Sequence, residues 1–240
     1  MSIDRSLAPP YSIPEKIHLN PPELRFLANG IPLYYIPFPN IDAVKIEVIF
    51  PLKNTESNPY KPLLPFFTLH MILEGTKMLS SEKLDDFFDF NASEVDIISG
   101  YERQGLSLLS TKQHLLEVLP VFGSLFTDAT FPEKELKKRK SQKKISISIK
   151  KEQTSARANQ LIRGSLFEKG HPFGHQIIEQ DVDDINHSDL QNYYNNSFLI
   201  APQIFLTGQL SDEEMKAIEA TFSDLPISNE KTVFQETGQI

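Results

Sequence analysis

The sequence predicts an α+β domain, a mainly antiparallel β-sheet flanked by α-helices, and three observations carry that prediction. Asn29-Gly30 stands between two apolar runs, the strongest short signal for a β-hairpin. Residues 43–50 alternate apolar with charged over their middle, the period of a strand with one packed face. Helix-start patterns, Thr130-Phe131-Pro132-Glu133 and Ser211-Asp212-Glu213-Glu214, punctuate the rest without regular βαβ units.

Taken in order, residues 1–22 are Pro-rich and polar and read as an extended arm, and residues 23–226 read as the domain. Strands at 24–27, 31–36 and 43–50 are expected to form a three-stranded antiparallel meander. A helix over 63–73 follows, then one opened by Ser80-Ser81, whose hydroxyls can cap it, with Leu84, Phe87 and Phe88 on one side. Residues 105–110 read as a strand paired with 95–98, and residues 115–126 as an amphipathic helix. Thr130 to Glu133 form a capping box with Pro in the first turn, so a long helix starts there. Its middle, Ile145-Ser146-Ile147-Ser148-Ile149, alternates like a strand, but no turn signal flanks it and helix is preferred. After a loop at 169–174, Ser188-Asp189-Leu190-Gln191 caps the next helix, 202–208 is a strand, and Ser211 opens a helix towards Phe222. Residues 227–240 read as the start of a linker or of a second domain.

Composition narrows the classes. With 240 residues, 40% hydrophobic and 23% charged, the chain can bury a sizeable core as one large domain or two small ones. It has no cysteine, which excludes disulfides, Cys-based zinc sites and thiol nucleophiles. The N-terminus lacks a secretory signal, and no window approaches the ~20 apolar residues of a membrane span, so a cytoplasmic protein without a membrane partner is expected. The net charge of −8 argues against nucleic acid as a partner. The Lys-rich run over 134–151 is either an anion-binding patch or the solvated face of a helix. Lacking aromatics for base stacking, it favours the second.

Catalytic patterns are thin. Ser99-Gly100 and Ser107 lie in no G-x-S-x-G elbow, and no phosphate-cradling Gly-rich loop occurs. His171 and His175 are separated by Pro172 and Gly174 with no Glu between them, which favours a packed loop over a helical ligand pair. Asp85-Asp86 and Asp183-Asp184 read as helix-start charges and loop solvation.

One stretch stands apart: Pro65-Phe66-Phe67-Thr68-Leu69-His70-Met71-Ile72-Leu73-Glu74-Gly75-Thr76. With Leu27-Ala28-Asn29-Gly30, Asn91-Ala92, Thr127-Asp128-Ala129-Thr130-Phe131-Pro132, His171-Pro172-Phe173-Gly174 and Ile204-Phe205-Leu206-Thr207-Gly208, in that order and spacing, it resembles the insulinase/pitrilysin-like zinc peptidases, which include the mitochondrial processing peptidase. Active members carry H-x-x-E-H on the helix before the Gly-Thr turn. Two His at i and i+4 hold zinc, and the Glu activates its water. Counting back from Gly75-Thr76, the second His falls on His70, the Glu on Leu69 and the first His on Phe66, while the distant acidic ligand aligns at Ser148. Glu152 is the nearest acid, one turn on. The resemblance therefore implies a member lacking the zinc motif, with no catalytic residue, no metal and no cofactor.

Phe66, Leu69, His70 and Leu73 share one helix face by spacing. Family members work as clam-shell halves around an unfolded peptide. The implied role is a non-catalytic half of a heterodimeric zinc peptidase, paired with an active zinc-bearing homologous subunit and forming part of the chamber wall. It would hold extended peptides by strand addition along an edge near Asn91-Ala92. The alternative is a scaffold or interaction protein with no role in proteolysis, and a third reading is residual peptidase activity at a non-standard metal site. The family carries two such domains per half, so the chain is expected to cover the first and a start towards the second.

Overall fold

The computed structural model describes Tyr11 and residues 21–52, 61–100, 102–167 and 171–228. Of the expected arm and C-terminal segment, only Tyr11, Pro21, Pro22, Ile227 and Ser228 fall within these residues.

Six strands form one mixed sheet: β1 (Glu23–Phe26), β2 (Pro32–Pro37), β3 (Ala43–Pro51), β4 (Glu94–Ser99), β5 (Arg103–Thr111) and β6 (Gln203–Gly208), in the order β1-β2-β6-β3-β5-β4. The hairpin at Asn29-Gly30 forms as expected, with Gly30 at φ +83°. β5 pairs antiparallel with β4, also as expected. The meander does not form. β6 inserts between β2 and β3, parallel to the first and antiparallel to the second. Residues 38–42 are long enough to step across two strand spacings of about 4.8 Å each, so a strand from late in the chain fits the gap. Nothing local in sequence announces such a partner.

Alternation fixes which face packs. Val44, Ile46, Val48 and Phe50 of β3 are buried on one face, as are Ile204 and Leu206 of β6. Gly105 of β5 lies opposite Ile49, where a Cβ would stand 2.0 Å from the Val48 carbonyl oxygen. Only glycine lets the two strands close there.

The helices are α1 (Leu64–Ile72), α2 (Ser81–Phe90), α3 (Leu115–Ser124), α4 (Glu133–Glu152), α5 (Thr154–Leu166), α6 (Glu179–Asp183), α7 (His187–Asn196) and α8 (Asp212–Ser223). All of them but α5 share one core cluster with the buried sheet face, which holds Phe67, Leu69 and Met71 of α1 with Leu106 and Leu108 of β5. The Ile-Ser alternation at 145–149 lies inside α4, as helix.

Caps follow the sequence only in part. Ser211 caps α8 as predicted, its N–H donating to Glu214 Oε2 at 2.6 Å. Ser80 stands at the N-cap of α2 without a side-chain cap bond, and the neighbouring Ser81 hydroxyl donates to Glu74. Thr130 donates to the Gly75 carbonyl, leaving Pro132 at the N-cap of α4. Asn186, not Ser188, caps α7, with Asp189 completing a reciprocal box at 3.0 Å. Asp85 and Asp86 lie mid-way along α2 rather than at its start.

Candidate functional site

The site begins with α1. Pro65 opens the helix, where its missing N–H is harmless, and the Thr68 hydroxyl returns to the Leu64 carbonyl at 2.9 Å. Gly75 then turns the chain at φ +137°, and Thr76 Oγ1 accepts from the Met78 and Leu79 N–H groups at 3.3 and 3.2 Å. The Glu-Gly-Thr turn thus fixes where α1 ends and delivers Glu74 inward.

Two faces of α1 differ. Leu69 is only 1% exposed and belongs to the core, so it leaves the face that its spacing shares with Phe66, His70 and Leu73. Phe66 and His70 are half-buried, with ring centroids 4.0 Å apart. The His70 Nδ1–H donates to the Phe66 carbonyl at 2.8 Å, which sets the imidazole tautomer. From α4, Lys143 Nζ lies 3.5 Å from the Phe66 ring centroid, a cation–π contact. One turn away, Arg139 Nε donates to Glu74 Oε1 at 2.6 Å, and the Ser81 hydroxyl donates to the other oxygen at 2.9 Å. Glu74, 4% exposed, is thereby fully paired.

The electrostatics are those of a cationic neighbourhood. Burial lowers the His70 pKa first, and Arg139 and Lys143 lower it further, against the Phe66 hydrogen bond and Glu74, which raise it. Burial, with the charge of Lys150, pushes Lys143 down to about 8. A zinc ion needs several neutral or anionic donors converging on it. Phe66 and Leu69 offer none, and the side chains facing His70 from α4 are positive. Among the described residues no group of three or more His, Cys, Asp or Glu comes together. The residues present do not fit a zinc ion.

No protein-family model matches the chain. Over 90% of its length it superimposes on 53% of a peptidase M16 inactive domain from Pseudomonas fluorescens, with a TM-score of 0.77 at 17% identity. The fold is that of a peptidase M16 domain. A protease from Helicobacter pylori gives the same TM-score, 0.77, at 13% identity, with 91% of this chain matching 54% of that one. In sequence, 85% of the chain is similar at 22% identity to an uncharacterized zinc protease, YmxG, of Bacillus subtilis strain 168. The chain spans about half the length of the curated relatives it matches, 50% and 52%.

Within this fold the remaining expected residues fall as follows. Ser148 is exposed on α4. At 100° per residue it points about 140° away from Lys143, the residue that does face α1. Glu152 is exposed at the end of α4. Asn91 is fully buried at the C-cap of α2, its amide donating to the Phe87 carbonyl at 2.9 Å, and Ala92 adopts φ +46°. These two build a turn, and the sheet edge itself is β4, which starts two residues later. His171 stacks on Phe167 at 4.8 Å and His175 meets Asp181 at 3.0 Å, the contacts of a packed loop. Asp183 pairs with Lys144 at 2.7 Å, and Asp184 accepts from Gln180 at 2.7 Å.

Sequence reasoning missed Glu74, Arg139 and Lys143 as the residues that organise the α1–α4 contact. Arg139 and Lys143 sit at i, i+4, so they share a helix face, but that spacing alone does not name what faces them.

Proposed function

We propose that the chain is a non-catalytic M16 homologue of the cytoplasm, one half of a heterodimeric zinc peptidase whose metal resides in a homologous active subunit. The observation that carries this is Leu69, an apolar core side chain where an active relative needs its general base. Phe66 closes the same site from the first ligand position, and the similar Pseudomonas fluorescens protein is itself described as an inactive domain. No described helix is long and apolar enough to cross a membrane.

In this reading the chain contributes wall and peptide grip. β4 is the last strand of the sheet, so one side of its backbone has no strand partner among the described residues. An extended peptide adds there by main-chain hydrogen bonds, which gives affinity with little sequence demand. Glu94 and Asp96 are exposed along it, alternating with half-buried Val95 and Ile97.

Affinity capture of the chain from its native cell tests the pairing. An H-x-x-E-H homologue that co-purifies, with peptide hydrolysis requiring both chains, is the expected result. A complex that contains no peptidase overturns it in favour of a scaffold. Stoichiometric zinc on the isolated chain overturns the non-catalytic assignment.

A further inference from the structure

Beside the closed-off site, between α4 and α5, lies a cavity of ≈570 Å³. Its wall carries the cations Lys143, Lys150, Lys151 and Arg163, and no carboxylate lines it. The volume is that of a ligand pocket rather than a packing defect. In a protein of net charge −8, four cations around one opening are a local arrangement and not a reflection of composition.

Elsewhere on α4 several cations are ion-paired: Lys138 with Glu135 at 3.4 Å, Arg139 with Glu74 at 2.6 Å, Lys144 with Asp183 at 2.7 Å. Lys143, Lys150 and Lys151 make no ion pair among the described residues. The depressed pKa of Lys143, to about 8, reports the same burial and mutual repulsion. An anion entering the cavity relieves that repulsion, and so binds the folded state with charge-assisted hydrogen bonds.

We propose that this cavity is an acidic side-chain pocket, taking Asp or Glu carboxylates of a peptide that lies along β4. The proposal rests on the peptide-edge reading above. Peptide is favoured over nucleic acid because no aromatic side chain lines the cavity for base stacking. It is favoured over a small free anion by continuity. Lys143 lines the cavity and touches Phe66 of α1, and α1 packs on β4, so edge and pocket lie along one connected path. The amides of Asn159, Gln160 and Gln176 also line the opening, and each can pair with peptide backbone.

Fluorescence anisotropy on the full chain tests this with an extended Asp/Glu-rich peptide and its Asn/Gln counterpart. The acidic peptide is expected to bind at least about ten-fold tighter, a difference of ~1.4 kcal/mol. That preference should vanish in Lys150→Gln/Lys151→Gln and shrink in Lys143→Gln, with affinity for the Asn/Gln peptide unchanged. Lys150 and Lys151 are exposed, so this pair leaves the fold intact, which thermal melting confirms. Equal binding of both peptides overturns the pocket while leaving the β4 edge standing. Binding of neither peptide overturns both. Inorganic phosphate binding through these lysines, with no preference between the peptides, overturns the proposal in favour of a small-anion site.

Discussion

Helix α4 presents cations along its length, and its two stretches meet opposite fates. Towards α1, Arg139 finds the buried Glu74 and Lys143 finds the Phe66 ring. Towards α5, Lys150 and Lys151 face a cavity without a carboxylate. α5 itself buries no residue, and Leu161 and Leu166 stand 64% and 67% exposed. The difference lies in the facing helix rather than in α4, whose Lys-rich sequence is much the same throughout. A cation on a helix is architecture where a neighbour brings a counter-charge or a π-face, and stays open to solvent or an anion where none does. The Lys run over 134–151 is therefore not one uniform solvated face: part of it pairs with Glu135, Glu74 and Asp183, and part lines the cavity.

The hardest test of this contrast is to place a carboxylate at Leu69, where the resemblance to the zinc peptidases puts a general base. Leu69→Glu places a carboxylate in the core, where ionisation costs several kcal/mol, so a loss of about 4 kcal/mol or more at neutral pH is expected from urea unfolding. Leu161→Glu on exposed α5 should change stability by no more than about 0.5 kcal/mol. Equal tolerance of the two substitutions would show that α1 faces a wet cleft, and the contrast would collapse.

A smaller effect comes from the ion pair. Arg139→Met strands Glu74 inside the protein with only the Ser81 hydroxyl, which should cost about 3 kcal/mol. Glu74→Gln keeps a hydrogen-bonding side chain and leaves Arg139, 35% exposed, able to turn to water, so it should cost less, about 1–2 kcal/mol. Urea midpoints in the reverse order would mean that the pair is not what joins α1 to α4.

Much of this was legible beforehand, and what was not has physical causes. The Asn29-Gly30 hairpin, the β4–β5 pairing and the Ser211 box are local, and short-range pattern carries them. The insertion of β6 was not legible, because a strand's neighbour depends on the whole topology and only its faces on its own sequence. Helix α5 was not separated from α4 because its apolar residues serve no core and no Pro or Gly marks the break at Gln153. Two caps moved, from Thr130 to Pro132 and from Ser188 to Asn186, and Ser81 and Thr130 found Glu74 and Gly75 through space, partners that no local pattern announces. At the site, the spacing from Gly75-Thr76 placed Phe66, Leu69 and His70 on one helix, but Glu74 and Arg139 are 65 residues apart and no local pattern joins them.

The finest test is a pH dependence that reads both stretches of α4 through Lys143. Its pKa in the folded chain is about 8, below the 10.5 of an unfolded lysine, so the unfolded chain holds the proton more tightly. The cost of charging Lys143 is then fully present below pH 8 and disappears as pH rises to 10.5. Stability of the natural chain relative to Lys143→Met should therefore climb across that window, measured as the difference between their urea midpoints. Lys150, two turns further along the same helix, opposes the Lys143 charge, and His70 on α1 titrates lower. His70, with its pKa lowered from 6.5, works on the acid side, where stability falls as pH drops below 6.5. A flat difference between pH 8 and 10.5 would mean that Lys143 reaches water and that the cavity imposes no repulsion. If the slope exists but shrinks in the presence of the Asp/Glu-rich peptide, the unpaired stretch of α4 has acquired the counter-charge that the paired stretch already holds.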